Sequence, residues 1–248
     1  MTLKRMAFAV TVSIGFLIAL ANMASAQEFK FRVEHDHLIG SCKGELIINQ
    51  EGVEYRTSKK EHPRKWSYTD IEMIKLRSPR KVAVLTYESA RIELGRDRTF
   101  EFKVLDGEVT KEVSDFLLGR VERPLSTTFV ASEEKPQYAI PVRHRHTFGG
   151  DQGTLKVYAD RVVYESQGKQ ERSRYWRWSD IKSFSRLGRY QFSITTFEPK
   201  LGGPTKTFNF DLKEEMNDAQ YDYVWARVFK PTLPASPDEK REGERIQP

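Results

Sequence analysis

Two short motifs hold most of the chemistry that this sequence can offer. His35-Asp36-His37 and His144-Arg145-His146 each place two imidazoles two residues apart. On a β-strand, positions i and i+2 point the same way. Each pair could therefore give two nitrogens to one Zn²⁺ or Cu²⁺ ion. Cys42 lies five residues past the first pair, and Asp151 holds the matching place after the second. Either could add a third ligand if the chain turns back there. The candidate metal ligands are thus His35, His37, Cys42, His144, His146 and Asp151. A structural reading competes: each pair lies on a strand edge and hydrogen-bonds the turn at Gly40 or Gly149.

Other reactive types lead to simpler roles. Cys42 is the single cysteine, which excludes a disulfide framework and a cysteine-rich zinc module. It reads as a buried, inert thiol or, if exposed, as a cross-linking one. Asp70 and Asp180 follow Thr69 and Ser179, an arrangement that suits a turn-capping carboxylate better than a catalytic acid. Gly149, Gly150 and Gly153 precede no Gly-Lys-Ser/Thr, so they form no phosphate loop. With no catalytic constellation in view, the chain reads as a binding protein, not an enzyme, and calls for no cofactor.

Basic and aromatic residues are interleaved around Trp66, Trp176 and Trp178, with Lys59, Lys60, Arg64 and Lys65 before the first. Arg172, Arg174, Arg177, Lys182, Arg186 and Arg189 surround the other two. Single-stranded nucleic-acid binders use such mixtures. The total charge of +6, from 41 basic and 35 acidic residues, is too nearly balanced to demand a polyanion. The expectation is core aromatics with solvated charges at the strand edge, no nucleic acid, and at most weak contact with an anionic membrane surface.

The elements that position these residues occur twice. An offset of 109 pairs the two His-x-His motifs, Gly40 with Gly149, Gly44 with Gly153, Leu46 with Leu155 and Tyr55 with Tyr164. An offset of 110 then pairs Trp66-Ser67-Tyr68-Thr69-Asp70-Ile71 with Trp176-Arg177-Trp178-Ser179-Asp180-Ile181. Phe116, Arg120 and Val121 pair with Tyr223, Arg227 and Val228 at 107. Each copy begins with period-2 apolar alternation, which predicts short strands, including 71–76, 82–87 and 99–104 in the first and 181–187, 190–197 and 205–212 in the second. Each copy ends with apolar residues spaced three and four apart, Val109, Val113, Phe116, Leu117 and Val121 in the first, which predicts a helix.

The fold class is therefore mainly β: two repeated small barrels or sandwiches, each closed by a C-terminal α-helix. The Trp-x-aromatic-(Ser/Thr)-Asp-Ile blocks at 66–71 and 176–181, with helices near 107–121 and 213–229, resemble the pleckstrin-homology-like (PH-like) superfold and its bacterial and GRAM-like members. That resemblance implies a binding or scaffolding role. Phosphoinositide binding does not carry over, because the first hairpin loops, 38–43 and 147–152, hold one lysine and an aspartate.

The chain ends carry addresses and spacers. Lys4 and Arg5, an uncharged run from Met6 to Leu20, and Ala24-Ser25-Ala26 have the layout of a secretory signal peptide cleaved before Gln27. The expected organisation is 1–26 signal peptide, 27–121 first repeat, 122–137 linker, 138–230 second repeat and 231–248 a disordered proline-containing tail. The chain thus reads as an exported protein, periplasmic or extracellular, that binds another protein or a cell-envelope component. The second reading is an exported metal-binding protein that uses the His-x-His pairs.

Overall fold

The computed structural model describes residues 27–37, 40–60, 62–90, 97–200 and 203–229. The expected signal peptide and tail lie outside these residues.

The first sheet contains β1 (Phe29–Asp36), β2 (Ser41–Ile48), β3 (Gly52–Arg56), β4 (Arg64–Ser67), β5 (Ile71–Ser78), β6 (Lys81–Ser89), β7 (Asp97–Asp106) and β8 (Leu125–Thr127). Their spatial order is β4-β3-β2-β1-β7-β6-β5-β8. The second sheet contains β9 (Tyr138–Arg145), β10 (Gly150–Val157), β11 (Arg161–Ser166), β12 (Arg174–Arg177), β13 (Ile181–Gly188), β14 (Gln191–Thr196) and β15 (Lys206–Leu212). Its order, β12-β11-β10-β9-β15-β14-β13, is that of the first seven strands of the other sheet. Each set of seven is followed by a helix, α1 (Lys111–Leu118) or α2 (Asp218–Phe229). The mainly β class with a helix closing each copy is as the sequence predicts.

The repeat extends to local irregularities. The β5–β6 register shifts between Ile71 and Met73, and the β13–β14 register shifts between Ile181 and Ser183. A bulge of this kind bends a strand and increases its twist. Gly44 and Gly153 pair for a steric reason. A Cβ on Gly44 would lie 2.2 Å from the Arg56 carbonyl oxygen and 2.6 Å from the Tyr55 ring. On Gly153 it would lie 2.4 Å from the Glu165 carbonyl oxygen and 2.5 Å from the Tyr164 ring. Only hydrogen leaves room for these tyrosines to cross the neighbouring strand.

Each sheet surrounds its own core. Trp66 packs with Phe100 and the α1 residues Val113, Phe116 and Leu117 belong to the same cluster. Trp176 occupies the same place against Phe208, in a cluster that includes Val224 of α2. The helix ends also match: Arg120 lies 3.7 Å over the Phe116 ring and Arg227 3.3 Å over the Tyr223 ring. The strand carrying each tryptophan stops sooner than period 2 suggests. Tyr68–Asp70 and Trp178–Asp180 are 3₁₀ turns, closed when the Asp70 and Asp180 carboxylates accept the Ser67 and Arg177 amides at 2.9 and 3.0 Å.

The segment 122–137 does more than link. Leu125–Thr127 forms β8, parallel to β5 at the edge of the first sheet. Beyond it, Val130 is buried with Tyr158 and Val163 of the second repeat. The chain between the copies is thus packed against both of them.

Candidate functional site

The end of β1 and the start of β2 form a corner around the first histidine pair. Gly40, at φ +78°, turns the chain so that its carbonyl oxygen accepts the His37 amide at 2.9 Å. His35 and His37 do share a face, with ring centroids 4.5 Å apart, but their environments differ. His35 is buried among Tyr55, Phe100 and Phe102. Its Nδ1 donates to the Glu101 carbonyl at 2.9 Å, and burial lowers its pKa. It belongs to the aromatic core.

His37 turns instead toward Cys42, its Nε2 2.9 Å from the sulfur. Cys42 is buried, and its sulfur lies 3.0 Å from the Tyr55 hydroxyl. A third group comes from beyond the expected six. His62, just before β4, places its ring 4.4 Å from that of His37. The ligand atoms of His37, Cys42 and His62 all lie within 4.8 Å of one another. The His62 Nδ1 is buried and has no hydrogen-bond partner. Sequence inspection missed His62 because its repeat partner at offset 110 is Arg172, so no paired histidine drew attention to it.

The second repeat builds the same corner from different chemistry. His144 is buried against Tyr164 and Phe210 as His35 is against Tyr55 and Phe102. Its Nδ1 has no partner, and burial drives its pKa down to about 3. His146 Nε2 meets Asp151 Oδ2 at 2.5 Å, and Arg172 Nη1 pairs with Asp151 Oδ1. Burial raises the Asp151 pKa, but the His146 and Arg172 hydrogen bonds outweigh it and hold the carboxyl below its usual range. The positions of His37, Cys42 and His62 are thus taken by His146, Asp151 and Arg172, a closed ion-pair triad. Of the six expected ligands, the structure brings His37 and Cys42 into a ligand group, places His35 and His144 in the cores, and ties His146 and Asp151 to Arg172.

A second site lies where the repeats meet. A cleft of about 430 Å³ is lined by Lys75, Arg77 and Lys81 of the first sheet, Ser126 and Thr128 around β8, and Arg174, Glu198 and Lys206 of the second. Burial lowers the pKa of Lys75, Arg174 and Lys206 alike. The Arg174 Nε is buried without a partner, while its Nη1 donates to the Glu171 and Ser173 carbonyls at 2.9 and 2.6 Å. Glu198 is the buried carboxylate of the cleft. It accepts the Trp176 indole N–H at 2.9 Å and lies 4.0 Å from Lys206 Nζ. Lys200 and Glu171 complete the charged lining, so two carboxylates, Glu171 and Glu198, face six cations and the cleft is positive on balance.

The expected solvated charges around Trp176 need correction here. Arg174 lines the cleft, and Arg177 bridges the repeats. Its guanidinium bonds Asp180 and also donates to the carbonyls of Leu118, Val121 and Arg123 at the end of α1, at 3.3, 2.6 and 2.8 Å. The sequence shows these arginines beside tryptophans but not what the neighbouring repeat places opposite them.

No protein-family model and no curated protein matches this chain. Among solved structures, that of the Spt16D Pob3N heterodimer aligns over 71% of this chain and 88% of its own, at 11% identity and a TM-score of 0.28. Among the described residues, no helix is long and apolar enough to cross a membrane.

Proposed function

We propose that this chain is an exported, non-catalytic binding protein built from two PH-like modules, and that it holds an anionic group of an envelope component or partner protein in the cleft between them. The two copies of seven antiparallel strands plus a helix support the PH-like reading. The observation that carries the ligand reading is the convergence of Lys75, Arg174 and Lys206, all with pKa lowered by burial, on a cleft with one buried carboxylate, Glu198. Buried charge is costly unless paired. A phosphate or carboxylate entering the cleft would relieve the mutual repulsion and meet the unpartnered Arg174 Nε. Ser126 adds a hydroxyl to the lining, while the buried Thr128 hydroxyl donates to the Leu76 carbonyl at 3.4 Å. The export part rests on the basic, apolar and Ala-x-Ala pattern of residues 1–26.

Calorimetric titration of the full mature chain with inorganic phosphate and with citrate tests the ligand reading. The expected result is saturable binding of one anion per chain, weakened at least about tenfold by Arg174→Gln or Lys206→Gln, in line with the loss of one charge-assisted hydrogen bond. Absence of saturable binding for both anions, or binding unchanged by both variants, would refute it.

A further inference from the structure

We propose that His37, Cys42 and His62 form a transition-metal site of the thiolate–imidazole class, suited to Zn²⁺ or Cu⁺, at the corner of the first repeat, and that the second repeat has replaced it with an ion-pair triad.

Four observations converge. The donor set is two imidazoles and one thiol, the softness that selects zinc or cuprous copper over magnesium or calcium. Its ligand atoms fall within 4.8 Å of one another. Donors bound at 2.0–2.3 Å around a tetrahedral ion stand about 3.3–3.8 Å apart. Side-chain rotation that opens the His37–Cys42 pair from 2.9 Å and draws in the widest pair by about 1 Å closes the site, with one position left for solvent or a partner's donor. The buried Nδ1 of His62 has no other partner. The Tyr55 hydroxyl, 3.0 Å from the sulfur and 3.2 Å from the Cys42 carbonyl oxygen, can turn its one proton from the carbonyl to a metal-bound thiolate, the outer-shell support that metal ligands usually have.

The second copy supplies the independent argument. At its equivalent positions a carboxylate, Asp151, lies between His146 and the cationic Arg172. Tyr164 still donates to the Asp151 backbone carbonyl at 2.9 Å, as Tyr55 does to that of Cys42 at 3.2 Å. The frame of the corner is preserved while its charges have changed. In the second copy the positive charge beside the anionic centre comes from a guanidinium. In the first, residue 62 is an imidazole, and a metal ion beside the Cys42 thiolate would supply that charge. Binding releases the thiol proton to solvent and forms the metal–sulfur bond, with no change of oxidation state.

The test uses the full mature chain without a polyhistidine tag, stripped with chelator and kept reduced. Titration with Zn²⁺, and anaerobically with Cu⁺, should reach one ion per chain by elemental analysis. Co²⁺ substitution should give the near-ultraviolet band of thiolate coordination. Cys42→Ser should abolish that band, and His62→Gln should weaken Zn²⁺ binding at least tenfold. His146→Gln, in the second repeat, should leave both unchanged. Circular dichroism of each variant checks that it is folded. Binding below one ion per chain for both metals, a thiolate band that survives Cys42→Ser in folded protein, or loss of binding in His146→Gln would overturn the proposal.

Discussion

Replacing Trp176 tests the core and the cleft together, because its ring belongs to the first and its N–H to the second. The side chain is 1% exposed, its ring lies 4.8 Å from that of Phe208, and its indole N–H bonds Glu198. Trp66 is its copy at 3% exposure, 4.7 Å from Phe100 and bonded to Glu88 at 2.8 Å. Truncating either to alanine removes a large buried ring and should cost about 3–5 kcal/mol. The acceptors separate the two. Glu88 is 38% exposed and lies within 3.6 and 3.9 Å of Arg64 and Arg98, so water and cations can replace the lost donor. The Glu198 side chain is 6% exposed with Lys206 4.0 Å away, so losing the indole leaves a carboxylate close to unsatisfied. That adds about 1–3 kcal/mol. Phenylalanine keeps most of the ring volume and isolates this difference: Trp176→Phe should cost about 1–3 kcal/mol more than Trp66→Phe. Urea denaturation of all four variants, followed by circular dichroism, gives the free energies. An alanine variant within about 0.5 kcal/mol of the parent would behave as a surface substitution and refute the core assignment. Equal costs for the two phenylalanine variants would refute the argument from the buried carboxylate.

Two further outcomes follow from groups held under constraint. His144 titrates near 3 when folded against an ordinary 6.5 when unfolded. Its contribution is therefore complete above pH 6.5 and is lost as pH falls toward 3, about 2–3 kcal/mol of it by pH 4.5. The lowered pKa of His35 acts in the same direction. Urea midpoints should fall between pH 7.5 and 4.5, and His144→Phe should flatten that fall; an unchanged slope would contradict the assignment. Gly44→Ala and Gly153→Ala force a Cβ against backbone carbonyls at 2.2 and 2.4 Å, and each should cost about 1–3 kcal/mol or more. Gly168→Ala meets nothing within 4 Å and should stay within about 0.5 kcal/mol. Thermal melting of the three variants checks the order, and a tolerated Gly44→Ala would mean that Tyr55 has room to move.

Much of this architecture could be read from residue order alone, because the two copies check one another. Apolar alternation located the strands and the three-four spacing located the helices. Periodicity could not show that Ser67 and Arg177 end their strands, since a 3₁₀ turn and a strand both tolerate an aromatic two residues after Trp66 or Trp176. Nor could it detect β8, whose three residues, Leu125–Thr127, are too few to set a period. The site was half legible. His37 and Cys42 are five residues apart and visibly related, whereas His62 reaches them only through the β3–β4 pairing that returns the chain to the corner. Comparing the copies also hid it: a search for shared residues passes over a position where one copy has histidine and the other arginine. The cleft was least legible of all, since Lys75 comes from one repeat and Arg174 and Lys206 from the other, and they become neighbours only when the repeats dock.

The reach of Arg177 into the end of α1 bears on how the cleft would work. Swinging the repeats apart would strip the Leu118, Val121 and Arg123 carbonyls from the guanidinium and leave it with Asp180 alone. In the other copy the same position is Ser67, whose hydroxyl bonds Thr69 and Asp70 of its own turn. A side chain that caps a turn in one half of the molecule therefore latches the two halves together in the other. On the proposed reading the cleft would act as a fixed mouth, not a closing jaw. Its cations are already in place, so capture of an anion there would spend little on ordering the protein. Selectivity would then fall to shape and charge at the opening, and a ligand too broad for it would be excluded, not accommodated.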